Sequence, residues 1–311
     1  MRTICLLAMM FGLAGSAEAQ HTTLWGDPDL QGVWTNQTPV PLERPKALAG
    51  KAVFTEQEAE AFEKAALPRL LGVLSKQLEL SGELSEIWLE TQNGRVGPSR
   101  RTSLVVDPAD GQIPYTPEGR RRWDSVPSTE RTIGGEELGA DGPEDRPEAE
   151  RCLTTGGLFI PNPFYNNFHQ IVQTPGYVAI ITEMMHEVRI IPLDGPPLGR
   201  GIRQWLGDSR GRWEGQTLVV ETGNFNDQRL FLGATRQMRL VERFTRLDAN
   251  TISYQLTVTD PQTFSTAWTL ENALRKVNSS IYEVGCHEGN YGLAGILSGA
   301  RAEEKRARVS R

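Results

Sequence analysis

The sequence predicts a mainly β protein: an antiparallel sheet closed into a lipocalin-like barrel or stacked as a sandwich, with a small N-terminal helical segment. Three observations carry that expectation. Short apolar and β-branched runs recur at hairpin spacing between residues 102 and 286. Turn formers separate them, among them Pro175-Gly176, Asp194-Gly195 and Asp248-Ala249-Asn250. No helical periodicity alternates with the runs, which argues against parallel βαβ units. A closed sheet of about eight strands leaves room inside for side chains or one small ligand. Periodicity serves a barrel and a sandwich equally.

Residues 1–19 read as a cleavable export signal: Arg2, an apolar run over 4–15, then Ala17-Glu18-Ala19 as a small-x-small site. The run is shorter than the roughly 20 residues of a membrane span, and no later apolar stretch is longer. Residues 20–98 form an extended N-terminal segment with two short helices. Within it Gly32-Val33-Trp34-Thr35 is fit to pair as a strand. Thr55-Glu56-Gln57-Glu58 has capping-box spacing and opens a helix to Lys64. A second helix over 69–80 sets Leu70, Leu71, Leu74 and Leu78 on one face.

Residues 99–298 carry the antiparallel β domain, and 299–311 a C-terminal tail. Strands are expected at 102–106, 171–172, 177–181, 188–193 and 217–222, and a hairpin at 238–247 and 252–258. In its second arm Ile252, Tyr254, Leu256 and Val258 share a face, the mark of a half-buried strand. Phe264, Thr266, Trp268 and Leu270 continue the series, and 281–286 closes it. Residues 124–151, rich in Gly, Pro and acid, read as a mobile loop.

Loss of Arg2 and Glu18 with the signal leaves the formal charge at −6. That mild acidity argues against nucleic acid, which wants a clustered basic face. After cleavage Cys152 and Cys286 are the remaining cysteines. In an oxidising compartment such a pair is most simply a disulfide; a nucleophilic Cys286 beside His287 is the alternative.

The segments 170–178 (QIVQTPGYV), 203–225 (RQWLGDSRGRWEGQTLVVETGNF) and 286–292 (CHEGNYG) together resemble a widespread group of exported bacterial proteins of uncharacterised activity. The resemblance spans roughly residues 25 to 300 and implies export. It brings no catalytic residues, so chemistry has to be read from the side chains.

The chain has no Gly-x-Ser-x-Gly elbow, no Walker or Gly-x-Gly-x-x-Gly loop and no His-Glu-x-x-His. Three constellations remain. In an extended 183–189, His186 shares an apolar face with Met184, Val188 and Ile190, and Glu183, Glu187 and Arg189 share the other. An inward imidazole is a candidate acid or base; a hydrogen-bonded core histidine is the bland counterpart. Second, Tyr282, His287, Glu288 and Asn290 crowd a glycine-bounded bend next to Cys286. Third, Arg203, Trp205 and Arg210 lie on glycine-bounded turns that suit an anionic or sugar ligand, or simply an Asp208–Arg210 pair. A metal site from His169, His186, His287 and Glu288 has sound chemistry but no diagnostic spacing.

The resulting expectation is an exported barrel enzyme doing acid–base chemistry on a small organic molecule, as a lyase, isomerase or hydrolase. His186, His287, Glu183 and Glu288 would be catalytic; Arg189, Arg203, Arg210, Trp205, Asn290 and Tyr282 would bind substrate. No cofactor or metal is called for. The alternatives are a non-catalytic periplasmic ligand-binding protein of lipocalin-like shape and an envelope structural module. The export reading makes one direct prediction: mass spectrometry of the mature protein finds Gln20 at its N-terminus, and an intact Met1 overturns it.

Overall fold

A computed structural model describes residues 22–66, 94–125, 139–154, 157–161, 167–199, 201–226 and 231–309. The expected signal at 1–19 and the expected helix at 69–80 lie outside these residues.

The chain builds one ten-stranded antiparallel sheet. Its strands are β1 (Gly32–Thr35), β2 (Val105–Asp107), β3 (Phe168–Thr174), β4 (Tyr177–Thr182), β5 (Glu187–Pro192), β6 (Asp208–Glu214), β7 (Thr217–Gly223), β8 (Arg239–Asp248), β9 (Thr251–Thr259) and β10 (Trp268–Val277). They lie in the order β5-β4-β3-β1-β10-β9-β8-β7-β6. Hairpins make most neighbours, and the turn residues set their register. Pro175-Gly176, with Gly176 at φ 82°, opposes Thr174 to Tyr177. The 248–250 turn puts Phe244 opposite Tyr254. β1 reaches in from the N-terminal segment and lies between β3 and the end of β10, while β2 pairs with the start of β10.

The end strands β5 and β6 meet at a single bridge, Leu193 to Gly211, where the Asp194 N–H donates to the Gly211 carbonyl at 2.9 Å. Gly211 makes the approach possible. A Cβ there would lie 2.8 Å from Leu193 Cδ2 and 3.0 Å from Ile191 Cγ2. No continuous ladder closes the sheet, yet it curls round one interior, because side chains from β5 touch side chains from β8.

Period-2 alternation fills that interior. Ile252, Tyr254, Leu256 and Val258 of β9 point inward, as do Trp268, Leu270 and Leu274 of β10 and Leu240 and Phe244 of β8. Trp34, Trp268, Tyr254, Phe159, Phe244 and Phe264 are among the largest fully buried side chains. Phe159 belongs to no strand. Residues 157–161 are irregular chain that carries its ring into the interior.

Helices are few. α1 covers 56–66 and opens on the expected capping box: the Glu58 N–H donates to Thr55 Oγ1, and Glu58 Oε2 accepts the Thr55 N–H at 2.8 Å. α2 is Pro117–Ser125 and α3 is Tyr291–Val309. No helix of the described residues is long and apolar enough to cross a membrane.

Four expectations need correction. Residues 281–286 form no strand; they run as irregular chain into a turn that begins at Cys286, with the Tyr282 N–H spent on Glu183 Oε1 at 2.9 Å. The arginine-bearing segment 208–214, read as turns, is strand β6, because Gly215 at φ 60° returns the chain into a full ladder with β7. Of the expected mobile loop, 124–125 end α2. Residues 126–138 lie outside the described residues, and 139–151 are turns and a short 3-10 helix, Pro143–Asp145, bonded by the Arg146–Glu150 pair and by Arg301 donating to the Ala140 and Asp141 carbonyls. The expected tail from 299 continues α3, whose Ala, Glu, Lys and Arg residues are good helix formers and whose first turn is capped by Asn290 Oδ1.

Cys152 and Cys286 form the expected disulfide, with Cα atoms 5.8 Å apart. It joins the chain leading to Phe159 to the turn after β10 across 134 residues of sequence. Cys286→Ser should therefore lose about 2–5 kcal/mol in guanidinium unfolding. Reduced wild-type protein should fall to the same midpoint, and a variant that unfolds with the oxidised wild type would contradict this.

Candidate functional site

Inside the sheet the apolar lining is interrupted by a cluster of polar side chains. β5 turns Glu187, Arg189 and Ile191 inward and leaves Val188 and Ile190 exposed. Across the interior β8 presents Glu242 between Leu240 and Phe244. Arg189 and Glu242 form a two-pronged pair, Nη1 to Oε2 at 2.7 Å and Nη2 to Oε1 at 3.0 Å. The Tyr254 hydroxyl donates to Glu242 Oε1 at 3.0 Å. Arg189 is 7% exposed and Glu242 wholly buried. Burial opposes the Arg189 charge, but the Glu242 carboxylate outweighs it and holds the guanidinium above its ordinary pKa. Burial first, then Glu242, raises the Tyr254 phenol well above its usual value, so it stays a neutral donor.

Two further groups complete the cluster. His169 of β3 lies opposite Thr182 of β4, and its Nδ1 is 3.1 Å from Thr182 Oγ1. Its ring packs on Phe159, centroids 4.3 Å apart. Burial, helped by the nearby Arg189 charge, pushes its pKa down to about 3, so the imidazole is neutral. Glu187 accepts a hydrogen bond from Thr154. Both His169 Nε2 and Arg189 Nε are buried and have no hydrogen-bond partner among the described residues. Arg189 also lines a cavity of about 10 Å³ with Leu158, Leu206, Phe225, Phe231, Met238 and Leu240. That is room for about one water.

The residues singled out in the sequence are placed differently. His186 was expected inward with Val188 and Ile190; all three are exposed, and the charged partners Glu187 and Arg189 are inside. The chain is not extended there, since Met185 and His186 take left-handed backbone at φ 58° and 41°. His287 is exposed in the turn after Cys286, and Glu288 is exposed beside it. The two histidines flank one corner, where Met184 and Met185 pack with Cys152, Val284 and Cys286. The packed side chains of that corner are buried or partly buried, whereas both imidazoles are exposed.

Glu183 is buried at the same corner. Its Oε1 accepts the Tyr282 N–H, its Oε2 has no partner among the described residues, and burial raises its pKa. The Tyr282 ring is 73% exposed. Asn290 has a structural task, with Nδ2 on the Glu150 carbonyl at 2.8 Å. Arg203 donates to the Phe225 carbonyl, Arg210 to the Pro196 carbonyl and Asp208, and Trp205 is half-buried. Of the expected binding residues only Arg189 belongs to the inner cluster. No group of three or more His, Cys, Asp or Glu side chains fit to hold a metal ion occurs among the described residues. His169 is deep inside while His186 and His287 face solvent.

An open hollow of about 420 Å³ lies elsewhere, between Glu43, Asp110, Tyr115 and Arg120. Its charges are in use: Glu43 accepts the Ile113 N–H and Arg120 pairs with Asp124.

The sequence reading passed over Glu242, Tyr254 and Phe159 as site residues. The available signal was Glu242, a charge between Leu240 and Phe244 in an otherwise inward-facing series.

The buried imidazole gives a pH dependence of known sign. Its folded pKa near 3 lies below the ordinary 6.5, so its contribution to stability is full above 6.5 and lost as pH falls towards 3. Between pH 7 and pH 4 this group alone should remove about 3 kcal/mol. Urea unfolding of wild type and His169→Gln should show that difference in pH slope; equal slopes would contradict a buried neutral His169. No protein-family model, curated protein or solved structure matches this chain, so the site is read from its own geometry.

Proposed function

We propose that this chain is an exported small-molecule-binding protein, its curled sheet working as a near-closed, lipocalin-like barrel with the ligand seated against Arg189. The observation that carries this reading is a buried arginine, Arg189, whose side chain lines an apolar cavity and whose Nε has no partner among the described residues. An ion pair taken out of water is a poor source of stability, and well-packed apolar residues in its place are often as good or better. An orphaned buried N–H costs a further 1–3 kcal/mol or so. A buried group left at that cost calls for an explanation, and a donor beside a cavity is suited to an acceptor on a ligand. The cavity as it stands is water-sized, so binding requires lining side chains to move. Export is supported by the signal-like residues 1–19 and by the disulfide.

Acid–base turnover is a second reading with one observation in its favour. Glu183 is a buried carboxyl of raised pKa, as a general acid requires, at the corner flanked by His186 and His287. The inner cluster itself favours binding, because its imidazole and phenol are held neutral and its carboxylate is engaged twice.

The test is enrichment. Wild-type protein dialysed against a solvent extract of its own cells should concentrate one or a few small molecules. The double variant Arg189→Met/Glu242→Leu, which removes the pair without stranding a charge, should not. Equal recovery on both proteins, or none on either, would end the binding reading.

A further inference from the structure

We propose that residues 157–161 are a built-in occupant of the inner site, and that the ligand they stand in for is a neutral aryl compound carrying a carbonyl or similar oxygen acceptor. The inference rests on the binding reading above and names its ligand class.

The occupant is defined by two adjacent side chains. Phe159 is fully buried, its ring centred 4.3 Å from His169, 5.1 Å from Tyr254 and 5.4 Å from Phe244. Leu158 lines the cavity beside Arg189. Together they cover the surroundings of both unpartnered nitrogens: the ring lies on His169, and the isobutyl group closes the hollow at Arg189. The Phe159 main chain also hydrogen-bonds the Tyr254 hydroxyl.

How this stretch is held differs from the strands around it. It has no regular secondary structure, and no main-chain-to-main-chain hydrogen bond ties 157–161 to another described residue. Side-chain packing and the Tyr254 contact do the holding. Chain held in this way opens locally at far lower cost than a laddered strand. Before it, Cys152 is fastened by the disulfide, so that end of the stretch stays tethered while its side chains leave the interior.

Charge then selects the ligand. The Arg189–Glu242 pair is neutral as it stands, His169 is neutral, and the Glu187 carboxyl beside them is engaged by Thr154. An anion would be buried against Glu187 and Glu242 and a cation against Arg189, each at high cost in this interior. A neutral acceptor satisfies Arg189 Nε with no such cost. The rings of Phe244 and Tyr254 and the imidazole of His169 offer faces and edges to an aromatic ring where Phe159 now lies. One ring with a short oxygen-bearing substituent has the size of the Leu158 and Phe159 side chains.

Calorimetric titration of the oxidised full chain with acetophenone, benzoate and toluene separates the claims. Phe159→Ala, or the milder Phe159→Val should the first not fold, vacates the ring position. Phe264→Ala, an equally buried phenylalanine away from the cluster, controls for any vacated hole. Acetophenone should bind the Phe159 variant at least about tenfold tighter than wild type, since no occupant has to leave. On that variant it should exceed benzoate and toluene by about tenfold or more, and Phe264→Ala should show no such preference. Equal acetophenone affinity for wild type and a folded Phe159 variant, or no binding to either, overturns the occupant. Benzoate binding as tightly as acetophenone overturns the neutral class and leaves the inner site standing. Failure of the binding reading itself is seen separately, as an extract from which wild type and the double variant recover the same compounds.

Discussion

Two opposite charges meeting inside an apolar interior decide which side chains this sheet turns inward. Arg189 can face inward only because Glu242 meets it with two hydrogen bonds, and Glu242 can be wholly buried only because Arg189 and Tyr254 surround it. The pair bridges the interior from β5, at one end of the strand order, to β8, near the other. It also fixes parity. With Arg189 inside, Val188 and Ile190 are turned to the surface, against their hydrophobicity. A one-residue slip of β5 would bury two aliphatic side chains and leave Glu242 alone in the core, a loss far larger than the gain.

Function follows from what the pair leaves over. Both carboxylate oxygens of Glu242 are engaged, whereas Arg189 Nε and His169 Nε2 have no partner among the described residues. The chain fills the space around them with Leu158 and Phe159, apolar groups that match the shape of the place and not its hydrogen bonds. A packed interior with unsatisfied polar nitrogens is unfavourable for a purely structural module and suited to one that exchanges its own side chains for a ligand. The disulfide contributes by fastening the chain just ahead of that stretch.

Much of the sheet was legible in the sequence because hairpin turns and period-2 alternation are local signals. The 248–250 turn and the Ile252, Tyr254, Leu256, Val258 face are present as read. The disulfide was legible from cysteine arithmetic. The site was not, because it depends on pairing across the interior. Apolarity alone sends Val188 and Ile190 inward with His186, and only the non-local Glu242 reverses that choice. Segment 208–214 looked like a loop because its Gly and Arg content hides a strand whose edge is stabilised by β7. The density of polar groups around His287 reflects a solvated turn beside a disulfide and a helix cap at Asn290.

The central claim is that the buried pair serves a ligand and that the sheet would hold without it. The stabilities of Arg189→Met, Glu242→Leu and the double variant, measured by urea unfolding, test this most directly. Each single variant strands a charge and should lose about 3–5 kcal/mol, while the double variant should lie within about 1 kcal/mol of wild type or above it. A double variant as unstable as the worse single one would show that the pair is needed to hold the fold, and would contradict the account.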